Sequence, residues 1–161
     1  MDQELVERAR TLLDLCRTKG LTIAAAESCT GGLLAATLTE IAGSSDVFER
    51  GFVTYSNDAK SQILGVATAL LDIRGAVSEP VARAMAEGAL KHSPADVSVA
   101  VTGIAGPGGG SAEKPVGLVY IATARRSGET RTQEFRFGDL GRDRVRLAAV
   151  AEALNLIYAV L

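Results

Sequence analysis

Ser28 and Cys29 are the two side chains of this sequence best placed to act as nucleophiles. They lie in the stretch 26–32, AESCTGG in one-letter code, between an apolar run over 21–26 and a helical pattern over 33–41. In an open α/β sheet, the turn from the carboxyl end of a strand into a helix is where ligands usually bind. The helix start offers backbone N–H groups to an anion or a developing oxyanion, so this turn is a candidate site.

A serine hydroxyl needs a base, because it is barely ionised at neutral pH. The single histidine, His92, ends a predicted helix at the opposite edge of the sheet, so a Ser-His-Asp triad is not expected. We interpret His92 as a cation near helix carbonyls. Lys60 is the remaining candidate base, with Tyr55 as a helper or an alternative. Lys60 lies in the first turn of a predicted helix, where the macrodipole and desolvation would lower its pKa.

Each of these residues also has a purely structural interpretation. Ser28 could simply cap the helix that follows it, which is the commonest reason for a serine at such a place. Lys60 could be a solvated lysine on an exposed helix face. Cys29, beside a helix N-terminus, could instead be an activated thiolate, but it has no evident histidine partner and ranks behind Ser28.

A glycine-rich loop over 102–111, TGIAGPGGGS, is the second candidate site. It is not a P-loop, because Glu113 precedes Lys114 and a strand follows where a helix should begin. The same topology excludes the dinucleotide-binding fingerprint. Its glycines let backbone N–H groups approach a ligand closely, including a phosphate. The alternative is a flexible connector.

Three arginines crowd the start of the last predicted helix, where acidic residues are usually preferred. Arg142 and Arg146 share one helix face by their i,i+4 spacing, and Arg144 lies between them. They could form an anion site, in which case a subunit boundary and a homodimer are expected. Pairing with Asp139 and Asp143 would explain them equally well.

The elements that position these residues alternate between strand and helix patterns. The first crossover predicts parallel strands, and a turn over 126–129 predicts an antiparallel hairpin. Three loops, 27–32, 55–60 and 102–111, should therefore meet at one sheet edge. The predicted order is helix 3–18, strand 21–26, helix 30–42, strand 52–55, helix 56–64, a helical turn 67–72, helix 78–92, strands 97–101, 116–124 and 130–137, and a last helix to about 159.

Composition excludes several classes of protein. The chain has 161 residues, 47% of them hydrophobic and 22% charged, which predicts one globular domain over 1–161. A net charge of −2 and 4% aromatic residues argue against nucleic-acid binding and against attraction to an anionic membrane. No transmembrane run is present, and two isolated cysteines with one histidine predict no metal site and a reducing, cytoplasmic location.

Several of these stretches, taken in order, strongly resemble the C-terminal domain of the competence/damage-inducible protein CinA. The resemblance covers nearly the whole chain. It rests on 26–32 (AESCTGG), 55–57 (YSN) with Lys60, 64–66 (LGV), 75–78 (GAVS), 102–107 (TGIAGP) and 114–117 (KPVG).

The resemblance implies a three-layer α/β/α sandwich with a mixed, mainly parallel sheet. It also implies hydrolysis of nicotinamide mononucleotide to nicotinic acid mononucleotide and ammonia, in pyridine nucleotide salvage and without a cofactor. Ser28 would be the nucleophile, activated by Lys60 and Tyr55, and amides near Gly31 and Gly32 would hold the oxyanion. The expected substrate-binding residues are Glu27, Cys29, Thr30, Gly31, Gly32, Asn57, Thr102, Gly103, Gly106, Gly108 and Arg142.

Two other functions stay open at this point. The chain could be a catalytically silent nucleotide-binding or protein-interaction module that retains the pocket. It could also be a different hydrolase on the same scaffold, using Cys29 or acting on a phosphoryl substrate.

Overall fold

A five-stranded sheet with helices on both faces forms the body of the protein, and the computed structural model describes all 161 residues. A short 3₁₀ turn, Ser44–Asp46, precedes the second strand. The other elements, in chain order, are α1 (Gln3–Lys19), β1 (Ile23–Glu27), α2 (Leu33–Thr39), β2 (Phe48–Val53), α3 (Asn57–Leu64), α4 (Thr68–Arg74), α5 (Glu79–Lys91), β3 (Val97–Gly103), β4 (Leu118–Arg125), β5 (Thr130–Arg136) and α6 (Arg142–Val160).

The sheet is mixed, with the strand order β2-β1-β3-β4-β5. The central strand β1 pairs in parallel with both β2 and β3, so that Ala25 lies between Gly51 and Val99. The pairs β3–β4 and β4–β5 are antiparallel. The predicted parallel crossover and the predicted hairpin are both confirmed. The carboxyl ends of β1, β2 and β3 therefore share one edge of the sheet.

Alternation along β1 divides the core into two layers. Ile23 and Ala25 pack with α1, α2 and α6, whereas Ala24 and Ala26 pack with α3, α4 and α5. All four are fully buried, as expected for a strand covered on both faces. The three-layer α/β/α sandwich is confirmed.

Helix α3 is well defined at both ends, which fixes the position of Lys60. The Ser56 hydroxyl caps its start by accepting a hydrogen bond from the Ala59 N–H at 3.0 Å. Gly65 ends it in a left-handed conformation with φ +72°. The predicted helix bounds are therefore correct here.

Two predicted elements differ from the structure by three residues or more at one or both ends. Strand β2 runs from Phe48 to Val53 rather than over 52–55, because its outer residues Glu49 and Arg50 interrupt the apolar pattern. Helix α2 begins at Leu33 rather than at residue 30. Gly31 and Gly32 adopt φ values of +57° and +96°, which a right-handed helix does not allow.

None of the helices combines the length and the hydropathy that crossing a membrane requires. No group of three or more histidine, cysteine, aspartate or glutamate side chains is arranged to hold a metal ion.

Candidate active site

Ser28 follows β1 directly and is held in place by its neighbours. Its backbone N–H donates to the Val101 carbonyl at 2.9 Å, which ties the turn to β3. Its hydroxyl oxygen accepts a hydrogen bond from Lys60 Nζ at 2.9 Å. Gly32 is the N-cap of α2, and the N–H groups at that helix end donate to Glu27 and not to the Ser28 hydroxyl. The interpretation of Ser28 as a helix cap is therefore wrong.

Lys60 is among the most buried large side chains of the protein, with 1% exposure. Besides Ser28, its amine donates to the Thr54 carbonyl at 2.9 Å, and it forms no ion pair with a carboxylate. Burial lowers the pKa of the Lys60 amine, because desolvation disfavours the ammonium form. The interpretation as a solvated lysine is wrong, and a buried amine lies within hydrogen-bonding distance of the Ser28 hydroxyl, which is the geometry that a general base requires.

Cys29 is buried at 6% exposure, and burial raises the pKa of its thiol to about 12. Its thiol is therefore protonated at neutral pH and is a poor nucleophile. This environment favours Ser28 over Cys29.

The carboxylate of Glu27 lies at the N-terminal end of α2. Its Oε2 accepts hydrogen bonds from the N–H groups of Gly32 at 3.1 Å and Leu34 at 3.0 Å, and its Oε1 accepts from Ala35 at 2.8 Å. Glu27 is buried at 1% exposure, so it contacts the helix and not a substrate. A buried carboxylate is well satisfied by three such donors and the positive end of the helix dipole.

The amides expected to hold the oxyanion are already engaged. The Gly32 N–H donates to Glu27, and the Gly31 N–H donates to the Ser28 carbonyl at 3.0 Å. The N–H groups of Cys29 and Thr30 make no hydrogen bond within the chain. The available donors therefore lie one and two residues after Ser28, and not at Gly31 and Gly32.

Thr30 carries a second unsatisfied group, because its hydroxyl is also buried without a partner. Its side chain is fully buried. Buried polar groups of the backbone are almost always paired in folded proteins, with protein, water or ligand. The unpaired Thr30 N–H is therefore a candidate hydrogen-bond donor to a ligand bound beside Ser28.

A cleft of about 240 Å³ opens at this edge of the sheet. Ser28 and Cys29 form one wall, and the glycine-rich loop forms another. The predicted meeting of the three loops is confirmed. The lining residues are Ser28, Cys29, Tyr55, Gly103, Ile104, Ala105, Gly106, Gly108, Gly109 and Arg142.

The glycine-rich loop presents unpaired backbone donors to this cleft. The N–H groups of Ala105, Gly106, Gly108 and Gly109 make no hydrogen bond within the chain. Gly106 has φ +86°, and a Cβ atom there would lie 2.6 Å from a methyl group of Val116. Only glycine fits this position, so the loop is a shaped wall and not a loose connector.

Arg142 bridges two walls of the cleft. It donates to the Gly106 carbonyl at 2.8 Å and to the Tyr55 hydroxyl at 2.7 Å. None of the three arginines pairs with Asp139 or Asp143, so the pairing interpretation is wrong. The Arg142 charge faces the cleft without a counter-ion.

Tyr55 is 60% exposed and forms no hydrogen bond with Ser28 or Lys60. Its helper role in activation stays a prediction without support from this geometry. Thr102 is buried and donates to the Ala76 carbonyl at 2.9 Å, so its hydroxyl supports the loop before α5 rather than lining the cleft. Asn57 begins α3 with an exposed side chain and does not line the cleft either.

The sequence indicates the loop 102–111 as a whole without singling out three of its lining residues, and it does not predict the contacts of Arg146. Ile104, Ala105 and Gly109 line the cleft but carry no chemical group that singles them out. Arg146 donates to the carbonyls of Cys29 at 3.2 Å and Thr30 at 2.9 Å. Its i,i+4 spacing from Arg142 was the available signal.

Comparison with known proteins identifies relatives that match most of this chain. A relative from Escherichia coli (strain K12), named nicotinamide-nucleotide amidohydrolase PncC, is 52% identical over 159 residues, which cover 98% of this chain and 94% of that protein. The CinA-like protein of Syntrophobacter fumaroxidans is 54% identical over 145 residues, which cover 90% of this chain and 34% of that protein. This chain thus spans about a third of the longer relative.

The crystal structure of the competence/damage inducible protein CihA from Agrobacterium tumefaciens is similar throughout. It is 55% identical, with a TM-score of 0.97 over 99% of this chain and 96% of that one. The family model described as the CinA C-terminal domain matches residues 6–161. The chain belongs to the CinA C-terminal domain family.

Proposed function

We propose that this chain hydrolyses the carboxamide of nicotinamide mononucleotide, giving nicotinic acid mononucleotide and ammonia. The Escherichia coli relative, which matches nearly the whole chain, is named for a nicotinamide-nucleotide amidohydrolase activity. The observation that carries the proposal is the buried Lys60 amine, 2.9 Å from the Ser28 hydroxyl and without a carboxylate partner. A neutral amide requires an activated nucleophile, and this pair supplies one.

In the first step, the neutral Lys60 amine accepts the Ser28 proton while Oγ attacks the carboxamide carbon. The tetrahedral oxyanion accepts hydrogen bonds from the N–H groups of Cys29 and Thr30, which have no other partner in the chain. Losing one such donor typically costs about 3–4 kcal/mol of barrier. The Lys60 ammonium then protonates the departing nitrogen, and ammonia leaves an acyl group on Ser28.

The second step regenerates the serine. Lys60, neutral again, accepts a proton from water, and the resulting hydroxide attacks the acyl carbon. The Lys60 ammonium returns the proton to Ser28 Oγ as the ester bond breaks. The products are the nicotinic acid mononucleotide and an unchanged enzyme.

The phosphate of the mononucleotide requires a positively charged partner. Arg142 is the cation that lines the cleft, and the amides of Gly106, Gly108 and Gly109 lie in the same walls without partners. Such glycine-rich backbone donors and a planar guanidinium suit a phosphate. We propose that Arg142 and this loop hold it.

Ser28→Ala tests the proposal. We expect ammonia release from nicotinamide mononucleotide to fall by about 10³-fold or more, because removing a nucleophile leaves only binding and oxyanion effects. Cys29→Ala is the matched control and should keep the rate within about tenfold, since its thiol is protonated at neutral pH. Ammonia and the acid product are measured together, with circular dichroism to verify folding.

Full activity in Ser28→Ala would place the nucleophile elsewhere. A folded wild-type chain that binds the mononucleotide but releases no ammonia would identify a catalytically silent binding module instead.

A further inference from the structure

We propose that Arg146 is a positioning residue of this hydrolysis, holding the Cys29–Thr30 peptide so that the Thr30 N–H faces the oxyanion. The inference rests on the proposed function. It concerns a residue that lies outside the cleft lining and outside the substrate-binding set that the family resemblance implies.

The contacts of Arg146 converge on the nucleophile turn. Its Nε donates to the Cys29 carbonyl at 3.2 Å and its Nη2 donates to the Thr30 carbonyl at 2.9 Å. These carbonyls belong to two successive peptide groups, Cys29–Thr30 and Thr30–Gly31. One guanidinium therefore holds both peptide planes from one side.

Because the peptide bond is planar, holding the Cys29 carbonyl also fixes the direction of the Thr30 N–H. The Cys29 carbonyl and the Thr30 N–H belong to the same trans peptide and point in opposite directions. Fixing that carbonyl toward Arg146 therefore directs the Thr30 N–H away from α6. This N–H has no hydrogen-bond partner within the chain.

The neighbouring peptide is fixed in the same way. Arg146 holds the Thr30 carbonyl, and the Gly31 N–H of the same peptide donates to the Ser28 carbonyl at 3.0 Å. Of the N–H groups that follow, Glu27 accepts those of Gly32, Leu34 and Ala35, and the Leu33 N–H donates to the Thr30 carbonyl. The turn is thus secured on both sides, and the Cys29 and Thr30 amides alone are left free.

The charge of Arg146 adds to this effect. It pairs with no carboxylate, so its positive charge acts directly on the two carbonyls. A cation bonded to a carbonyl polarises the whole peptide and strengthens its N–H as a donor. The same residue thereby orients and polarises the Thr30 amide.

The test compares Arg146→Met, Arg146→Lys and Arg146→Ala with the wild type, using nicotinamide mononucleotide as substrate. Arg144→Met is the matched control, because Arg144 lies on the same helix, is exposed and makes no hydrogen bond. We expect kcat of Arg146→Met to fall about 10- to 100-fold with KM changed less than about threefold, since the oxyanion interaction belongs to the transition state.

Partial rescue distinguishes positioning from simple packing. Arg146→Lys keeps the charge and one donor, so its kcat should lie between those of the wild type and Arg146→Met. Added guanidinium ion should raise kcat of Arg146→Ala and leave Arg144→Met unchanged. Thermal unfolding of each variant measures its stability separately. If Arg146→Met fails to fold, the kcat of Arg146→Lys and the guanidinium rescue of Arg146→Ala still decide the question.

A kcat of Arg146→Met equal to that of Arg144→Met would overturn the inference while leaving the proposed function intact. A loss confined to KM, or a loss that neither lysine nor guanidinium restores, would do the same. An inactive wild type would instead overturn the proposed function, and this inference with it.

Discussion

Lys60 places an amine where the protein offers it no opposite charge. Its two partners are the Ser28 hydroxyl and the Thr54 carbonyl, both neutral. Burying an ammonium without a counter-ion costs several kcal/mol, and this desolvation lowers the pKa of the Lys60 amine. The same burial that makes the residue unfavourable for stability therefore favours the neutral amine, which is the form that a general base requires.

The pH dependence of the rate should reveal this base. Because burial lowers the pKa of Lys60, its neutral form is populated at a lower pH than that of an exposed lysine. We expect kcat/KM to rise with pH and to reach its plateau below the range in which ordinary lysines titrate. Initial rates of ammonia release across the pH range, in buffers of constant ionic strength, measure this profile.

Lys60→Arg should remove the rising limb together with most of the activity. A guanidinium cannot lose its proton at these pH values, so a loss of about 10²- to 10⁴-fold is expected. Lys91→Arg, at an exposed lysine, is the control and should match the wild type. A flat profile, or a variant that keeps its rate, would assign the base to another residue.

At the residue scale, the sequence predicts correctly that Ser28 and Lys60 lie close together, because topology alone brings the ends of β1 and β2 together. It does not predict which amides stay free. That depends on the direction of the Glu27 side chain, which closes on the helix five to eight residues later. It depends equally on Arg146, which reaches the turn from 116 residues away in sequence.

At the element scale, α3 carries Lys60 and is held against α5 by a close backbone approach. A Cβ atom at Gly88 of α5 would lie 2.1 Å from the Leu64 carbonyl oxygen at the end of α3. The absence of a side chain at this position is therefore required by packing.

Gly88→Ala should reverse the usual effect of this substitution. Alanine in a helix interior normally stabilises by about 1 kcal/mol relative to glycine. Here the backbone of α3 would have to shift, so we expect a loss of about 1–3 kcal/mol in the free energy of unfolding. Activity should also fall, because a displaced α3 moves Lys60 away from Ser28. Urea unfolding and ammonia release measure the two effects.

Gly128→Ala is the control for this change. Gly128 lies in an exposed turn without positive φ, and the nearest atom to an added Cβ is 3.7 Å away. It should alter the free energy of unfolding by less than about 0.5 kcal/mol. A neutral or stabilising Gly88→Ala would show that α3 and α5 can move apart at this contact without a loss in the free energy of unfolding.

The sequence predicts elements better where their ends carry a local signal. The Ser56 cap and Gly65 define α3 correctly. The bounds of β2 are set instead by pairing with β1, which continues beyond the apolar residues 52–53 to the charged residues Glu49 and Arg50. Pairing of this kind is a tertiary property that the local pattern does not contain.

At the scale of the whole molecule, the two faces of the sheet are packed with side chains of different size. The face toward α1, α2 and α6 is filled by leucine, isoleucine and valine. The face toward α5 is formed largely by alanine, and Ala26, Ala100 and Ala122 make a continuous row across three adjacent strands. Small residues in this row let α5 approach the sheet closely. The position of α5 in turn determines how close α3, which packs against it, lies to the sheet.

Ala100→Leu tests whether this packing reaches the active site. Overfilling a tight core costs about 1–3 kcal/mol, so the free energy of unfolding should fall by that amount, whereas exposed Ala42→Leu should change it little. Because α5 contacts α3 through Gly88, an outward shift of α5 should also separate Lys60 from Ser28 and reduce kcat under conditions where the variant is fully folded. Wild-type kcat in a destabilised but folded Ala100→Leu protein would mean that the Ser28–Lys60 distance is set locally, by the end of β2 and the Ser56 cap.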